Sequence, residues 1–195
     1  MTGSDTPVIP RISGFDIDAD LSAAIARLAE RLLARGWMCA TAESCTGGLI
    51  GASLTAVSGS SAWFSGGIIS YANEVKISLL GVEAELIAEH GAVSKPVVRR
   101  MAAGACRLTG ARAAVAVSGI AGPTGGTPEK PVGTVWFGYA VDGIVTAQKL
   151  WIPAERPVVR QATVYAAVSG LADAIDLYAG KAADRRKQPQ GPTAS

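Results

Sequence analysis

A serine that directly follows a buried strand is the first candidate for chemistry in this chain. Apolar residues 37–42 predict a short strand, and Ser44 comes just after it, ahead of Gly47, Gly48 and an apolar helix from about Leu49. A strand that turns at once into a helix places its turn residue beside unpaired backbone N–H groups. Ser44 can therefore be a nucleophile beside an oxyanion site, or this turn can cradle a phosphate. It can equally be an ordinary helix cap, since serine is common there.

A nucleophile at this turn needs a base, and the chain offers few. Cys45 is a rival nucleophile, but a thiolate usually requires a cationic neighbour. The only histidine, His90, ends a helical stretch, which is an ordinary structural place for a histidine. A neutral lysine can activate a serine instead. Lys76 follows the second predicted strand in the same kind of position as Ser44, and its alternative is to be an exposed helix lysine.

A glycine-rich segment follows the third predicted strand. Small apolar residues 113–117 lead into Ser118, Gly119 and a Gly/Pro loop. Such a loop could wrap an anion or a flat ligand with its N–H groups, or it could be a flexible connector. No G-x-G-x-x-G motif follows a strand and no Walker-type motif occurs, so neither a dinucleotide nor a triphosphate site is indicated.

The elements that must position these segments alternate between strands and helices. A helix at 18–36 comes first, and helices also follow the first and second predicted strands. The third strand leads through the Gly/Pro loop to a hairpin of strands 134–141 and 144–151, which precedes a last helix at 157–178. This order predicts α/β architecture, a single three-layer α/β/α domain with a mixed sheet that includes the C-terminal β-hairpin. Ligands of such folds bind at the carboxyl ends of the strands, where the three segments would meet.

Composition favours one domain without a cofactor. The 195 residues are 49% hydrophobic and 17% charged, with a net charge of +2, so nothing supports a nucleic-acid partner. Three scattered cysteines and one histidine indicate neither a disulfide framework nor a metal site, and we expect no metal and no cofactor. We expect a flexible arm at 1–17, a domain at 18–179 and a disordered polar tail at 180–195. Without a secretory signal or a membrane-spanning run, the prediction is a cytoplasmic protein with no membrane contact.

A resemblance to one family is carried by five segments: TAESCTGG, GSSAWFSGGIISYANEVKISLLGV, HGAVSKPVV, AVSGIAGPTGG and KPVGTVWFGYA. In this order, over about residues 20–178, they resemble the C-terminal domain family of the competence/damage-inducible protein CinA, which includes stand-alone nicotinamide-nucleotide amidohydrolases. The resemblance implies hydrolysis of the carboxamide of nicotinamide mononucleotide to nicotinate mononucleotide and ammonia, in pyridine nucleotide recycling. It also implies a homodimer. Ser65 and Gly66 depart from the family's pattern, in which charged residues are frequent here.

The same resemblance implies roles for individual residues. Ser44 becomes the nucleophile, Lys76 its base and Tyr71 a further catalytic residue. We expect the backbone N–H groups around Cys45 and Thr46 to hold the developing oxyanion, and Arg160 to be the candidate for the substrate phosphate. The other expected substrate-binding residues are Gly47, Gly48, Asn73, Ser118 and Gly119.

Two other classes of function compete with this hypothesis. One is a non-catalytic module that binds a pyridine nucleotide or assists a partner in DNA uptake or repair. A binding module would not need Ser44, Tyr71 and Lys76 together, so this set favours an enzyme. The other is a plain serine esterase or peptidase, for which the chain lacks both a G-x-S-x-G elbow and a matching histidine.

Overall fold

The computed structural model describes residues 17–181, which form six α-helices, one short 3-10 helix (Ser60–Ala62) and five strands. The strands are β1 (Cys39–Glu43), β2 (Phe64–Ile69), β3 (Ala113–Gly119), β4 (Thr134–Val141) and β5 (Ile144–Trp151). The helices are α1 (Ile17–Leu33), α2 (Leu49–Thr55), α3 (Asn73–Ser78), α4 (Ala84–His90), α5 (Lys95–Thr109) and α6 (Arg156–Tyr178). Nearly all of the predicted arm at 1–17 and of the predicted tail at 180–195 lies outside these described residues.

The five strands form one mixed sheet in the order β2-β1-β3-β4-β5. Strands β2, β1 and β3 are parallel to one another, while β4 is antiparallel to both β3 and β5. The predicted mixed sheet with a C-terminal hairpin is therefore confirmed. The parallel strands end at Glu43, Ile69 and Gly119 on the same side, which we call the carboxyl end of the sheet.

Helices cover both faces of the sheet, as the three-layer prediction requires. Helices α1, α2 and α6 lie on one face, and α5 packs on the other against β1, β3, β4 and β5. Each interface encloses its own cluster of buried apolar side chains, with Leu28 and Leu171 in one and Val98 and Met101 in the other. Glycine allows the close approach of α5 to β4, because a Cβ at Gly138 would lie only 2.2 Å from the Val98 carbonyl oxygen.

Helices α1 and α6 pack side by side and run in the same direction. Arg27 forms ion pairs with Asp173 and Asp176, and Arg31 pairs with Asp176 at 2.8 Å. The later residue of α1 thus pairs with the later residue of α6, as in two parallel helices. None of the helices within residues 17–181 has the length and apolar character needed to cross a membrane.

Two strand boundaries differ from the sequence prediction. Strand β3 continues through Ser118 and Gly119, which were expected in the loop, because Gly119 still pairs with Val135 of β4. Strand β1 extends to Glu43, which pairs with both neighbouring strands. Pairing partners that are distant in sequence set both ends, and local apolar patterns cannot report them.

Candidate active site

Ser44 is the first residue after β1, at the carboxyl end of the sheet. Its backbone N–H donates to the carbonyl of Val117 on β3 at 3.1 Å, and its side chain is half-buried. The chain leaves the neighbouring strand β2 at Ser70 and Tyr71, and the Ser70 N–H donates to the Glu43 carbonyl at 2.8 Å. The turns after β1 and β2 are thus joined through backbone bonds.

Lys76 on α3 reaches back into this junction. Lys76 is only 1% exposed, which is an unusual degree of burial for a lysine. The Nζ atom donates to the carbonyl oxygens of Ser70 at 2.6 Å and Tyr71 at 3.1 Å, and to Ser44 Oγ at 3.3 Å. The structure therefore brings together the two residues predicted to be nucleophile and base.

Burial makes the Lys76 amine easier to deprotonate than that of a free lysine. Burial lowers its pKa below the ordinary value for lysine, because the protein interior solvates the charge less well than water. Nearby Glu74 raises the pKa, but in the part of the chain that the structure describes no carboxylate forms an ion pair with the amine. A lysine that loses its proton more readily is suited to act as a base.

Cys45, the rival nucleophile, is held in its thiol form. It is 6% exposed, and burial raises its pKa to about 12 in spite of the opposing charge of Arg160. A thiol with such a pKa has almost no thiolate at neutral pH. The Ser44 hydroxyl, which contacts Lys76, is the better nucleophile of the two.

Glu43 organises the turn that carries Ser44, a role that the sequence analysis missed. Its residue is 1% exposed, and its carboxylate accepts five hydrogen bonds from the surrounding backbone and side chains. The donors are Thr41 Oγ1 at 3.2 Å, Thr46 Oγ1 at 2.7 Å, and the N–H groups of Gly48 at 2.9 Å, Ile50 at 3.1 Å and Gly51 at 2.8 Å. The available signal was an acidic residue close before a helix start, where a carboxylate is favoured.

This network decides which N–H groups remain for a ligand. The first turn of α2 is occupied by the Glu43 carboxylate, so it does not form the phosphate cradle that the sequence left open. Among the backbone hydrogen bonds found for residues 17–181, none is donated by the N–H of Cys45 or Thr46. Both N–H groups lie near the Cys45 sulfur, where they lower the pKa of its thiol, and they are the candidate oxyanion donors of the Ser44 turn.

The two glycines of the turn adopt backbone conformations that favour glycine. Gly47 has φ +62° and Gly48 has φ +99°, and a Cβ at Gly48 would lie 2.9 Å from Ile69 Cδ1. Gly47 is exposed. A Cβ at this position would lie 3.7 Å from Arg160 Nη2. Close packing and a left-handed turn thus account for both residues in structural terms.

Arg160 on α6 lies directly against the Ser44 turn. Its Nη2 donates to the Thr46 carbonyl at 2.8 Å, and its Nε is buried without a hydrogen-bond partner. Thr46 itself is fully buried. Arg160 therefore sits at the same end of the sheet as Ser44, and one of its donors already holds the turn.

The remaining predicted site residues differ in how they are placed. Tyr71 is 63% exposed, and Asn73 is exposed at the first position of α3. Ser118 is buried, and its Oγ donates to the Ala92 carbonyl at 2.8 Å, so its hydroxyl is already engaged. Gly119 ends β3 with its backbone in the ladder with β4.

The arrangement combines a serine hydroxyl, a buried amine and the backbone N–H groups of Cys45 and Thr46. Such a set can form and break an acyl-enzyme, because it supplies nucleophile, base and oxyanion donors from two turns that meet at the carboxyl end of the sheet. Within residues 17–181, no group of three or more His, Cys, Asp and Glu side chains could hold a metal ion.

The sequence of the chain matches a family model and the sequences of known proteins. The model of the CinA C-terminal domain matches residues 21–175. A nicotinamide-nucleotide amidohydrolase PncC from Enterobacter agglomerans is 50% identical over 146 residues, which cover 74% of this chain and 89% of the relative. A CinA-like protein from Mycolicibacterium gilvum is 53% identical over 144 residues, which cover 73% of this chain. That match covers only 34% of the relative, so the chain spans about a third of such longer proteins.

A solved structure gives the same result. The competence/damage inducible protein CihA from Agrobacterium tumefaciens superimposes with a TM-score of 0.77 and 41% sequence identity, over 80% of this chain and 96% of that protein. The family model covers most of the chain, and the sequence and structural matches agree with it. The chain belongs to the CinA C-terminal domain family.

Proposed function

We propose that the chain hydrolyses the carboxamide of nicotinamide mononucleotide to nicotinate mononucleotide and ammonia. The observation that carries the proposal is the contact of the buried Lys76 amine with Ser44 Oγ, at 3.3 Å. The substrate is supported by the relative that is named a nicotinamide-nucleotide amidohydrolase. We also infer that residues 18–179 form the catalytic unit, and that it works in the cytoplasm in pyridine nucleotide recycling.

The first step is proton transfer from Ser44 to Lys76. A neutral lysine amine has two N–H groups and one lone pair. Two of its three neighbours, the carbonyls of Ser70 and Tyr71, only accept hydrogen bonds. When both N–H groups point at these carbonyls, the lone pair is left for the Ser44 hydroxyl proton. The contacts thus orient the base.

The second step is attack on the carboxamide. Ser44 Oγ forms a bond to the amide carbon, and the carbonyl oxygen becomes an oxyanion within reach of the Cys45 and Thr46 N–H groups. The protonated Lys76 then gives its proton to the amide nitrogen, and the C–N bond breaks to release ammonia. Tyr71, an exposed residue whose backbone carbonyl accepts from Lys76 Nζ, is a second candidate donor to the leaving nitrogen.

The last step is hydrolysis of the acyl-enzyme. Lys76, neutral again, accepts a proton from a water molecule, whose oxygen attacks the ester carbon. The Ser44–acyl bond breaks, and the proton returns from Lys76 to Ser44 Oγ as nicotinate mononucleotide leaves. Each round consumes one water and one amide, and the serine and lysine return to their starting states.

The direct test is incubation of the purified chain with nicotinamide mononucleotide. We expect equal amounts of ammonia and nicotinate mononucleotide, measured by a coupled ammonia assay and by chromatography. Ser44→Ala, which removes the nucleophile, is the control. Absence of both products from folded wild-type protein, or equal release by the Ser44→Ala variant, would contradict the proposed function.

A further inference from the structure

A groove at the carboxyl end of the sheet takes no part in the steps described above. It has a volume of about 730 Å³ and lies between the loop after β3, the segment after β5 and the first turn of α6. Ala121, Val132 and Pro153 contribute apolar walls, and Glu155 and Arg156 contribute charged side chains. A groove with apolar walls and an arginine suits a ligand that has a ring or sugar and an anionic group.

Two arginines of α6 connect this groove to Ser44. Arg156 and Arg160 are four residues apart, which puts them on the same face of α6 and about 6 Å apart along its axis. Arg160 Nη2 bonds to the Thr46 carbonyl, in the turn that carries Ser44. Arg156 Nη1 donates to the Gly122 carbonyl at 3.0 Å, in the loop after β3. Arg160 therefore lies at the Ser44 turn, and Arg156 lies one helical turn before it, at the start of α6 and in the groove.

The shape of the substrate matches this separation. In nicotinamide mononucleotide the carboxamide and the phosphate are at opposite ends, with the pyridine ring and the ribose between them. With the carboxamide carbon at Ser44, the phosphate extends away from the turn that Arg160 holds. The groove borders the first turn of α6, on the side of Arg160 away from the chain's later residues, and Arg156 is the cation that lines it.

We propose that the groove is the subsite for the phosphate end of the substrate and that Arg156, rather than Arg160, is its cationic contact. The inference rests on the proposed function and deepens it. Arg156 is exposed and uses Nη1 for the Gly122 carbonyl, which leaves other guanidinium N–H groups for phosphate oxygens. Glu155 lines the same groove, and its negative charge weakens binding of the anion.

The test compares nicotinamide mononucleotide with nicotinamide riboside, which lacks only the phosphate. The measured quantity is the ratio of kcat/KM for the two substrates, which we call the phosphate preference. Arg156→Gln should lower the phosphate preference by about 10- to 100-fold, since a hydrogen bond to a charged group is lost. Glu155→Gln should raise it. The control is Arg100→Gln, which removes an exposed arginine of α5 that pairs with Glu83. This variant should leave the phosphate preference unchanged.

A binding measurement separates this inference from the proposed function. In the Ser44→Ala background, calorimetry with both compounds reports the phosphate preference without turnover, and adding Arg156→Gln should reduce it by the same factor. If wild-type protein releases no ammonia, the proposed function is wrong, and the calorimetry still tests the groove. A wild-type phosphate preference near one, or a loss caused by Arg160→Gln and not by Arg156→Gln, would overturn the assignment.

Discussion

At the scale of single residues, Ser44 and Cys45 are neighbours with different surroundings. The serine hydroxyl contacts the Lys76 amine, while burial holds the cysteine as a thiol with a pKa of about 12. We expect Ser44→Ala to abolish ammonia release with little change in melting temperature. Cys45→Ala should keep most of the activity and lose about 1 kcal/mol of stability, since a small buried side chain is removed. Steady-state ammonia assays and thermal melts check both variants; activity lost in Cys45→Ala and kept in Ser44→Ala would reverse the assignment.

The protonation state of Lys76 leads to a second prediction. Because burial lowers its pKa, the rate should rise with pH as the amine loses its proton, with a midpoint below the free value of about 10.4. Lys76→Arg keeps a charge that is not released in this range, so it should be as inactive as Lys76→Ala. Rate measurements from pH 6 to pH 10, with product binding as a control for folding, provide the check. Substantial turnover by the arginine variant would show that Lys76 acts only through its charge.

At the scale of elements, β1 and α2 meet at the Glu43 carboxylate. The carboxylate accepts hydrogen bonds from the N–H groups of Gly48, Ile50 and Gly51. These bonds fix the turn that carries the N–H groups of Cys45 and Thr46. In Glu43→Gln the amide nitrogen must face a backbone donor. We therefore expect kcat to fall by at least about tenfold, while KM changes little and stability falls by about 1–3 kcal/mol.

The split between kcat and KM distinguishes positioning from plain stability. Measured well below the melting temperature, a variant that is only less stable is fully folded and keeps the wild-type kcat. Glu30→Gln, at an exposed position on α1, is the matched control and should change neither parameter. An unchanged kcat in folded Glu43→Gln would limit Glu43 to a structural role.

The comparison of sequence with structure also belongs at this scale. The strand pattern placed Ser44 and Lys76 in the same kind of position, each after a strand, and the family resemblance implied that they act as a pair. The sequence could not predict the role of Glu43, since that depends on how the first turn of α2 lies over the end of β1. It also placed Ser118 in a loop, whereas pairing with β4 extends the strand and the hydroxyl bonds to Ala92. Contacts between distant segments decided the end of β3 and the partner of Ser118, whereas the Glu43 network is local in sequence and depends on the shape of the turn.

At the scale of the whole molecule, the expected homodimer remains a prediction. Strand β2 is at one edge of the sheet, and Ile69, Tyr71, Ile77 and Leu79 are exposed at its end and on the following helix α3. Exposed apolar side chains grouped in this way are typical of contact surfaces. Light scattering should give twice the chain mass, and Ile69→Asp should reduce it more than Leu108→Asp, a distant exposed control on α5. A wild-type mass of one chain would contradict the dimer.

Independence from metal is a second prediction at this scale. The serine–lysine pair needs no metal ion, and residues 17–181 contain no cluster that could bind one. Dialysis against a strong chelator should leave the rate of ammonia release unchanged. A loss that added zinc or magnesium restores would point to a different mechanism.

The parallel packing of α1 and α6 determines where another molecule can be attached. Helix α6 begins at the carboxyl end of the sheet, where Arg160 contacts the Ser44 turn, and it runs away from that end. Since Arg27 and Arg31 pair with Asp173 and Asp176, α1 also begins near the carboxyl end and runs in the same direction. A fusion partner or surface linker joined before Ile17 would therefore approach from the side of the Ser44 turn. A partner joined after Lys181 would leave from the opposite side of the sheet. Attachment after α6 is therefore the better choice for immobilisation.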